Sequence, residues 1–167
     1  SMGVPVIGGP DGKGIWGEAD PTDPRNHRLR PSITVESATT RILIDTGPDL
    51  RQQLIANGIE RIDGILYTHG HADHTHGIDE VRGLNYAQRA WIDAYMDEPT
   101  HRRLTNSFGY VFEPLRSEGN FYKPCLTAHL IDGPFTVGDL SVIPFEQDHG
   151  YSTSLGFRIG DFAYSTD

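Results

Sequence analysis

A single cysteine in 167 residues leaves no partner for an internal disulfide, so Cys125 excludes a disulfide-stapled scaffold and fits a reducing, cytoplasmic setting. Long apolar runs are missing too. Nothing approaches the roughly 20 consecutive apolar residues of a membrane-spanning helix, and the first residues carry no signal-peptide pattern. Basic residues are scarce. Lys and Arg total 14 against 23 Asp and Glu, for a formal net charge of −9. That balance opposes binding to a membrane surface or to extended nucleic acid, because a polyanion is held by a basic surface that displaces its counterions. It leaves room for a small anionic substrate, since a bound divalent cation overrides the global sign locally. There is no internal repeat, no G-x-S-x-G elbow, no Walker loop and no dinucleotide fingerprint. "GGPDGKG" (8–14) lacks the G-K-[ST] ending of a phosphate loop.

What remains is an ordinary globular composition, 37% hydrophobic and 22% charged, and enough chain for one domain with a core. We read residues 1–167 as a single partial domain. Residues 1–31 are a Gly/Pro-rich irregular segment, and 32–167 form a layered core. In the first segment, Trp16 and the basic knot of Arg25, His27, Arg28 and Arg30 suggest a loop that is pinned down. We favour anchoring to nearby carboxylates over a phosphate pocket. "SITVES" (32–37) and "RILIDTG" (41–47) read as a hairpin. "PDLRQQLIANG" (48–58) reads as a helix with Leu50, Leu54 and Ile55 on its apolar face and Gly58 at its stop. "RIDGILYTH" (61–69) predicts a buried strand, 77–88 a helix weakened by Gly83, 91–97 a strand and 98–108 a helix. Five short strands follow Leu126. Helix–strand alternation that gives way to antiparallel strands implies an α/β or α+β layered domain.

The stretch "YTHGHADHTHG" (67–77) carries four histidines and an aspartate, delivered by the end of the buried strand. His69 and His71, two apart in extended chain, project to one side and form a pair for one ion. Asp73 and His74 are adjacent, and a tight turn aims both at a second point. Imidazoles mixed with carboxylate suit zinc, iron or manganese better than calcium or magnesium.

"THGHADH" resembles the H-x-H-x-D-H signature of the metallo-β-lactamase superfamily. "ILIDTG" (42–47), "EQDHG" (146–150) and "AYSTD" (163–167) are similar to its other motifs in order and spacing. "S-x-GVP" (1–5), "WGEADPTDPRNHRLRPS" (16–32) and "HADHTHGIDEVR" (71–82) resemble the PhnP-like phosphodiesterase branch, which is related to ribonuclease Z. The resemblance implies an αββα sandwich whose C-terminal part, with the last metal histidine and a general acid, is absent from this chain. The family's first strand would precede Ser1. It implies one metal on His69, His71 and His149, a second on Asp73 and His74, Asp167 bridging them, and Asp45 orienting the loop. The cofactors would be two divalent ions, zinc by default and manganese as the alternative. The function implied is hydrolysis of a cyclic or nucleotide-like phosphodiester by a metal-bridging hydroxide, with Asp73 holding the nucleophile in line. The alternatives are a thioesterase, lactonase or lactamase on the same fold, or a catalytically incomplete metal-binding fragment. A homodimer is possible within this family. Relatives often hold a structural zinc on cysteines in the early loop; here that loop has none.

Other polar residues divide between roles. His76 is either an orienting or phosphate-contacting residue or a polar residue at a helix start. Arg82 either grips phosphate through its fork or pairs with Asp79 at i, i+3. His101 reads as solvent-exposed, His129 as structural, Tyr151 as a stacking group or edge packing, and Cys125 as buried and inert.

Overall fold

The computed structural model describes residues 3–117 and 119–167. Two sheets carry the chain. The first has the order β1 (Ile33–Glu36), β2 (Arg41–Ile44), β3 (Gly64–Leu66), β4 (Ile92–Met96) and β5 (Leu126–Leu130). β1 and β2 are the antiparallel hairpin, with Ile33 opposite Ile44. From β2 onward the pairing is parallel, which requires crossovers. These carry α1 (Leu50–Ala56), then the one-turn α2 (Ala72–Thr75) with α3 (Val81–Gln88), then α4 (Glu98–Phe108). The second sheet is an antiparallel meander: β6 (Phe135–Val137), β7 (Leu140–His149), β8 (Ser152–Ile159) and β9 (Phe162–Tyr164).

Strand alternation builds two cores from one sheet, because successive side chains leave opposite faces. Leu43, Ile65, Ala94 and Leu126 face the helices and pack with Leu50, Leu54, Val81, Leu84 and Leu104. Ile42, Ile44 and Leu66 face the other way and meet Val142, Leu155, Phe157 and Ile159 of the second sheet. The result is a helix, sheet, sheet stack: one helical layer and both sheets of the sandwich. No helix of the described residues is long and apolar enough to cross a membrane.

Several elements differ from the sequence reading. The strand expected over 61–69 is regular only at Gly64–Leu66, and its continuation serves as site loop. The helix expected over 77–88 divides: a 3-10 turn spans Ile78–Glu80, closed by the Glu80 amide on the Gly77 carbonyl, before α3 begins. Ile55, assigned to the apolar face of α1, is exposed, because the helix turns only Leu50 and Leu54 inward. β7 runs ten residues and carries His149 at its end. The early loop is indeed anchored without cysteine. Arg30 pairs with Asp49 at 3.1 Å, Arg25 with Asp23 at 2.6 Å, and Trp16 packs against the His27 ring. Backbone bridges join Val4 to Arg28 and Val6 to Ile15.

A polar latch ties the sheets at the end away from the histidines. Ser37 Oγ donates to Asp139 at 2.7 Å, and the Asp139 amide donates to Thr40 Oγ1 at 3.2 Å. The hydroxyls of Thr40 and Ser37 hold the Asp139 carboxyl down at about 2, below its usual 3.8. A depressed carboxylate stabilises the fold above its unfolded value and loses that contribution as pH falls through the folded one. Asp139→Asn is therefore expected to lower Tm above pH 4, with the gap to wild type closing as pH falls toward 2, as thermal melts across that range would record. Phe157, fully buried between the sheets, is expected to cost about 3–5 kcal/mol when cut to alanine, measured by denaturant unfolding.

Candidate metal centre

The site lies beyond the carboxyl ends of β2 and β3, where open parallel sheets place their ligand crevices. β2 ends into Asp45 and β3 into Tyr67–His69. Asp45 adopts a left-handed backbone, φ 62°, a region that aspartate tolerates better than most residues. The turn aims its carboxylate inward, where it is fully buried. Oδ1 accepts from the Thr68 amide at 2.8 Å, and Oδ2 accepts from Thr68 Oγ1 at 2.8 Å and from His74 Nδ1 at 2.7 Å.

Those bonds fix two imidazole tautomers. His74 donates from Nδ1 to a carboxylate, so its Nε2 keeps a lone pair. Thr68 spends its hydroxyl hydrogen on Asp45, so it can only accept from His69 Nδ1, 3.1 Å away. His69 Nε2 is thereby also left bare. One carboxylate prepares both rings, one directly and one through a hydroxyl.

The turn of α2 presents the remaining local groups. His71 caps it, with the His74 amide on the His71 carbonyl at 3.1 Å. Gly77 closes the segment against the Asp45 turn; a methyl there would run into the Gly47 carbonyl oxygen. The second sheet adds the distant pieces. The Leu155 amide of β8 donates to the Thr68 carbonyl at 2.7 Å. This docking bond brings His149, at the end of β7, onto the loop.

Two donor groups result, His69/His71/His149 and Asp73/His74/Asp167, each with its ligand atoms within 4.8 Å of one another. In the first, His71 Nδ1 lies 3.0 Å from His69 Nε2 and 3.1 Å from His149 Nε2. Tetrahedral zinc at 2.0–2.1 Å from each nitrogen would space them about 3.3 Å apart, within a few tenths of what is seen. In the second, His74 Nε2 is buried with no hydrogen-bond partner. It faces Asp167 at 3.2 Å and Asp73 at 3.5 Å. A buried bare nitrogen between carboxylates is the donor set a divalent cation satisfies. The groups adjoin, with the His69 and His74 ring centroids 4.3 Å apart. Burial, followed by the neighbouring rings His74, His71 and His149, pushes His69 down to about 4. It is a neutral, ligand-ready ring at ordinary pH. Burial works against a charged His74, but the Asp45 hydrogen bond and the surrounding carboxylates outweigh it and raise its pKa.

All six expected ligands thus converge, with Asp45 beside them. Asp167 groups with Asp73 and His74. His76 stands outside both groups, its ring edge-on to Phe108 at 5.4 Å. Arg82 donates from Nε to the Phe121 carbonyl at 2.9 Å, while Asp79 accepts from Tyr110 rather than from Arg82. His129 bonds Asp93 at 2.9 Å and stacks on Tyr95, and His101 leans on Phe112 instead of pointing to solvent. Thr68 and Arg103 were not singled out by the sequence. The linear hint of Arg103 is the glycine between His69 and His71, where a Cβ would meet the Arg103 stem.

A parallel sheet that empties a histidine–aspartate loop onto the end of a second sheet is the layout of the metallo-β-lactamase fold. The chain belongs to the beta-lactamase superfamily domain family, whose model matches residues 40–167, and within the metallo-β-lactamase superfamily it is a PhnP-like member. A crystal structure described as a new diphosphatase from the PhnP family superposes with a TM-score of 0.83 at 35% identity, covering 99% of this chain and 61% of that one. An octanoyltransferase of Porphyromonas gingivalis is 35% identical over 147 residues, 87% of this chain and 29% of that protein. A ribonuclease Z of Bradyrhizobium sp. is 45% identical over 60 residues, 35% of this chain and 19% of the relative. The chain therefore spans less than two thirds of each of these proteins.

The relay through Thr68 has a direct test. Thr68→Val keeps the shape and removes the hydroxyl. Zinc affinity at the three-histidine group is expected to fall about 10–100-fold, with Thr68→Ser close to wild type. Competition against a chromogenic chelator reads the change, and an unchanged Thr68→Val titration would remove the hydroxyl from the account.

Proposed function

We propose that this chain supplies the metal-binding part of a binuclear phosphodiesterase acting on a small, cyclic or nucleotide-like phosphodiester. The observation that carries the proposal is the adjoining pair of donor groups, a three-histidine set and a histidine–dicarboxylate set. The PhnP-family diphosphatase and the ribonuclease Z relatives support a phosphodiester substrate. His69, His71 and His149 would hold one ion, Asp73 and His74 the other, with Asp167 between them. Zinc suits this mixture of imidazole and carboxylate, and manganese is the alternative. Two divalent ions, when bound, lower the pKa of water and counter the charge that builds on phosphate oxygens.

The chain's own side chains do the positioning. Asp73, on a one-turn helix, is a partly exposed carboxylate of the second group; in this reading it would hold the attacking water in line with the phosphorus. Asp45 and Thr68 keep the ligand rings in one tautomer, so no rearrangement is needed when charge develops. The octanoyltransferase name favours acyl chemistry instead. The one thiol of this chain, Cys125, is buried and burial raises its pKa, so acyl chemistry here would be hydrolysis at the metal centre rather than transfer through Cys125.

The metal-loaded protein is expected to carry two ions per chain by elemental analysis, to hydrolyse bis(p-nitrophenyl) phosphate and to stop in chelator. Asp73→Asn should lower kcat about 10²–10³-fold with the fold retained. One ion per chain and no turnover would instead define an incomplete metal-binding fragment. Faster turnover of an octanoyl thioester than of the phosphodiester would move the reading to a thioesterase.

A further inference from the structure

We propose that Arg103 of α4 forms an oxyanion subsite beside the three-histidine group that receives the phosphate of the substrate. The inference rests on the phosphodiesterase reading above and names the side chain that recognises the anion.

Three observations carry it. First, a cavity of about 90 Å³ is lined by His69, His71, Arg103, Ser152 and Thr153. At about 30 Å³ per liquid water, it holds roughly three waters, the scale of one tetrahedral oxyanion. Asp97 also lines it, one of its carboxylate oxygens accepting from the Thr100 amide at 2.9 Å as the cap of α4, and its charge favours a site in which the metal and Arg103 together supply the positive charge. Second, the Arg103 stem lies across the loop between the two ligands. A Cβ on Gly70 would stand 2.8 Å from Arg103 Cδ and 3.3 Å from its Cβ. The glycine of H-G-H is the opening through which α4 reaches the site. Third, Arg103 has no hydrogen-bond or ion-pair partner among the described residues. Its neighbour Arg102 pairs with Glu98 at 3.5 Å. A planar guanidinium that keeps its donors unspent next to a cation site is suited to bidentate capture of two phosphate oxygens.

The test compares Arg103→Ala, Arg103→Lys and Arg102→Ala in the zinc-loaded protein, with metal content measured in each. Inorganic phosphate binding by calorimetry and KM for bis(p-nitrophenyl) phosphate are the readouts. Arg103→Ala is expected to weaken phosphate about tenfold and raise KM similarly, while kcat changes little. Arg103→Lys should fall between, because a point charge replaces the fork. Arg102→Ala, equal in charge change and one position away, should bind phosphate as wild type does. Equal phosphate affinity in Arg103→Ala and wild type overturns the subsite, as does an equal loss in Arg102→Ala. If wild type turns over no phosphodiester yet binds phosphate through Arg103, the phosphodiesterase reading fails and the subsite stands.

Discussion

The buried carboxylate of Asp45 is the constraint from which the centre is built. Sealed from water, it needs donors, and it has three: the Thr68 amide, the Thr68 hydroxyl and His74 Nδ1. An unpaired buried charge costs several kcal/mol, so these bonds are obligatory. Each of them orders part of the loop: the amide fixes its backbone, the hydroxyl passes the order to His69, and the imidazole bond sets His74. The left-handed turn at Asp45 adds roughly 1 kcal/mol of strain, which the network offsets. The same carboxylate orders one ligand of each donor group, His74 directly and His69 through the Thr68 hydroxyl, so neither group is arranged independently of the other.

The acidic balance of the chain looks unsuited to an anionic substrate until its arginines are placed. Arg25, Arg30, Arg41 and Arg61 each bind a carboxylate, and those pairs hold loops and strand ends. They neutralise charge locally, with Arg25 and Arg61 still largely exposed. What remains near the centre is a set of carboxylates that a pair of dications would neutralise, with Arg103 alongside. Long-range attraction of a polyanion is weak in such a distribution, while a small anion that reaches the cavity meets concentrated positive charge.

How much of this was legible in the sequence depends on how local each feature is. The H-x-H-x-D-H loop reads directly, because its spacing alone sends His69 and His71 to one side and Asp73 with His74 to another. The β1–β2 hairpin and α4 also read well, since alternation and the Asp97–Pro99 start are local signals. His149 and Asp167 lie far along the chain, and only the resemblance to a family linked them to the loop. Thr68 had looked like one more residue of a buried strand; its importance comes from the Asp45 turn, 23 positions earlier. Arg103 sits on a helix whose outward face is plainly polar, and nothing in "THRRL" distinguishes it from Arg102. Tertiary approach over Gly70 makes the difference. Ile55 was misjudged because the apolar positions at 50, 54 and 55 fit a wider stripe than the seven-residue α1 buries.

The docking of the two sheets and the assembly of the metal centre are one event physically. The interface between them is largely apolar, and such packing fixes distance better than rotation. The directional contact at the site end is the Leu155 amide on the Thr68 carbonyl, one residue from His69 and on the strand paired with β7. Anything that rotates the second sheet moves His149 away from His71 and strains that bond at once. Conversely, an ion held by His69, His71 and His149 crosslinks the sheets. Because it binds only the docked arrangement, it stabilises that arrangement in proportion to ln(1 + [L]/Kd). An ion there would be a structural clasp of the sandwich, at the sheet end where a crosslink most effectively opposes rotation.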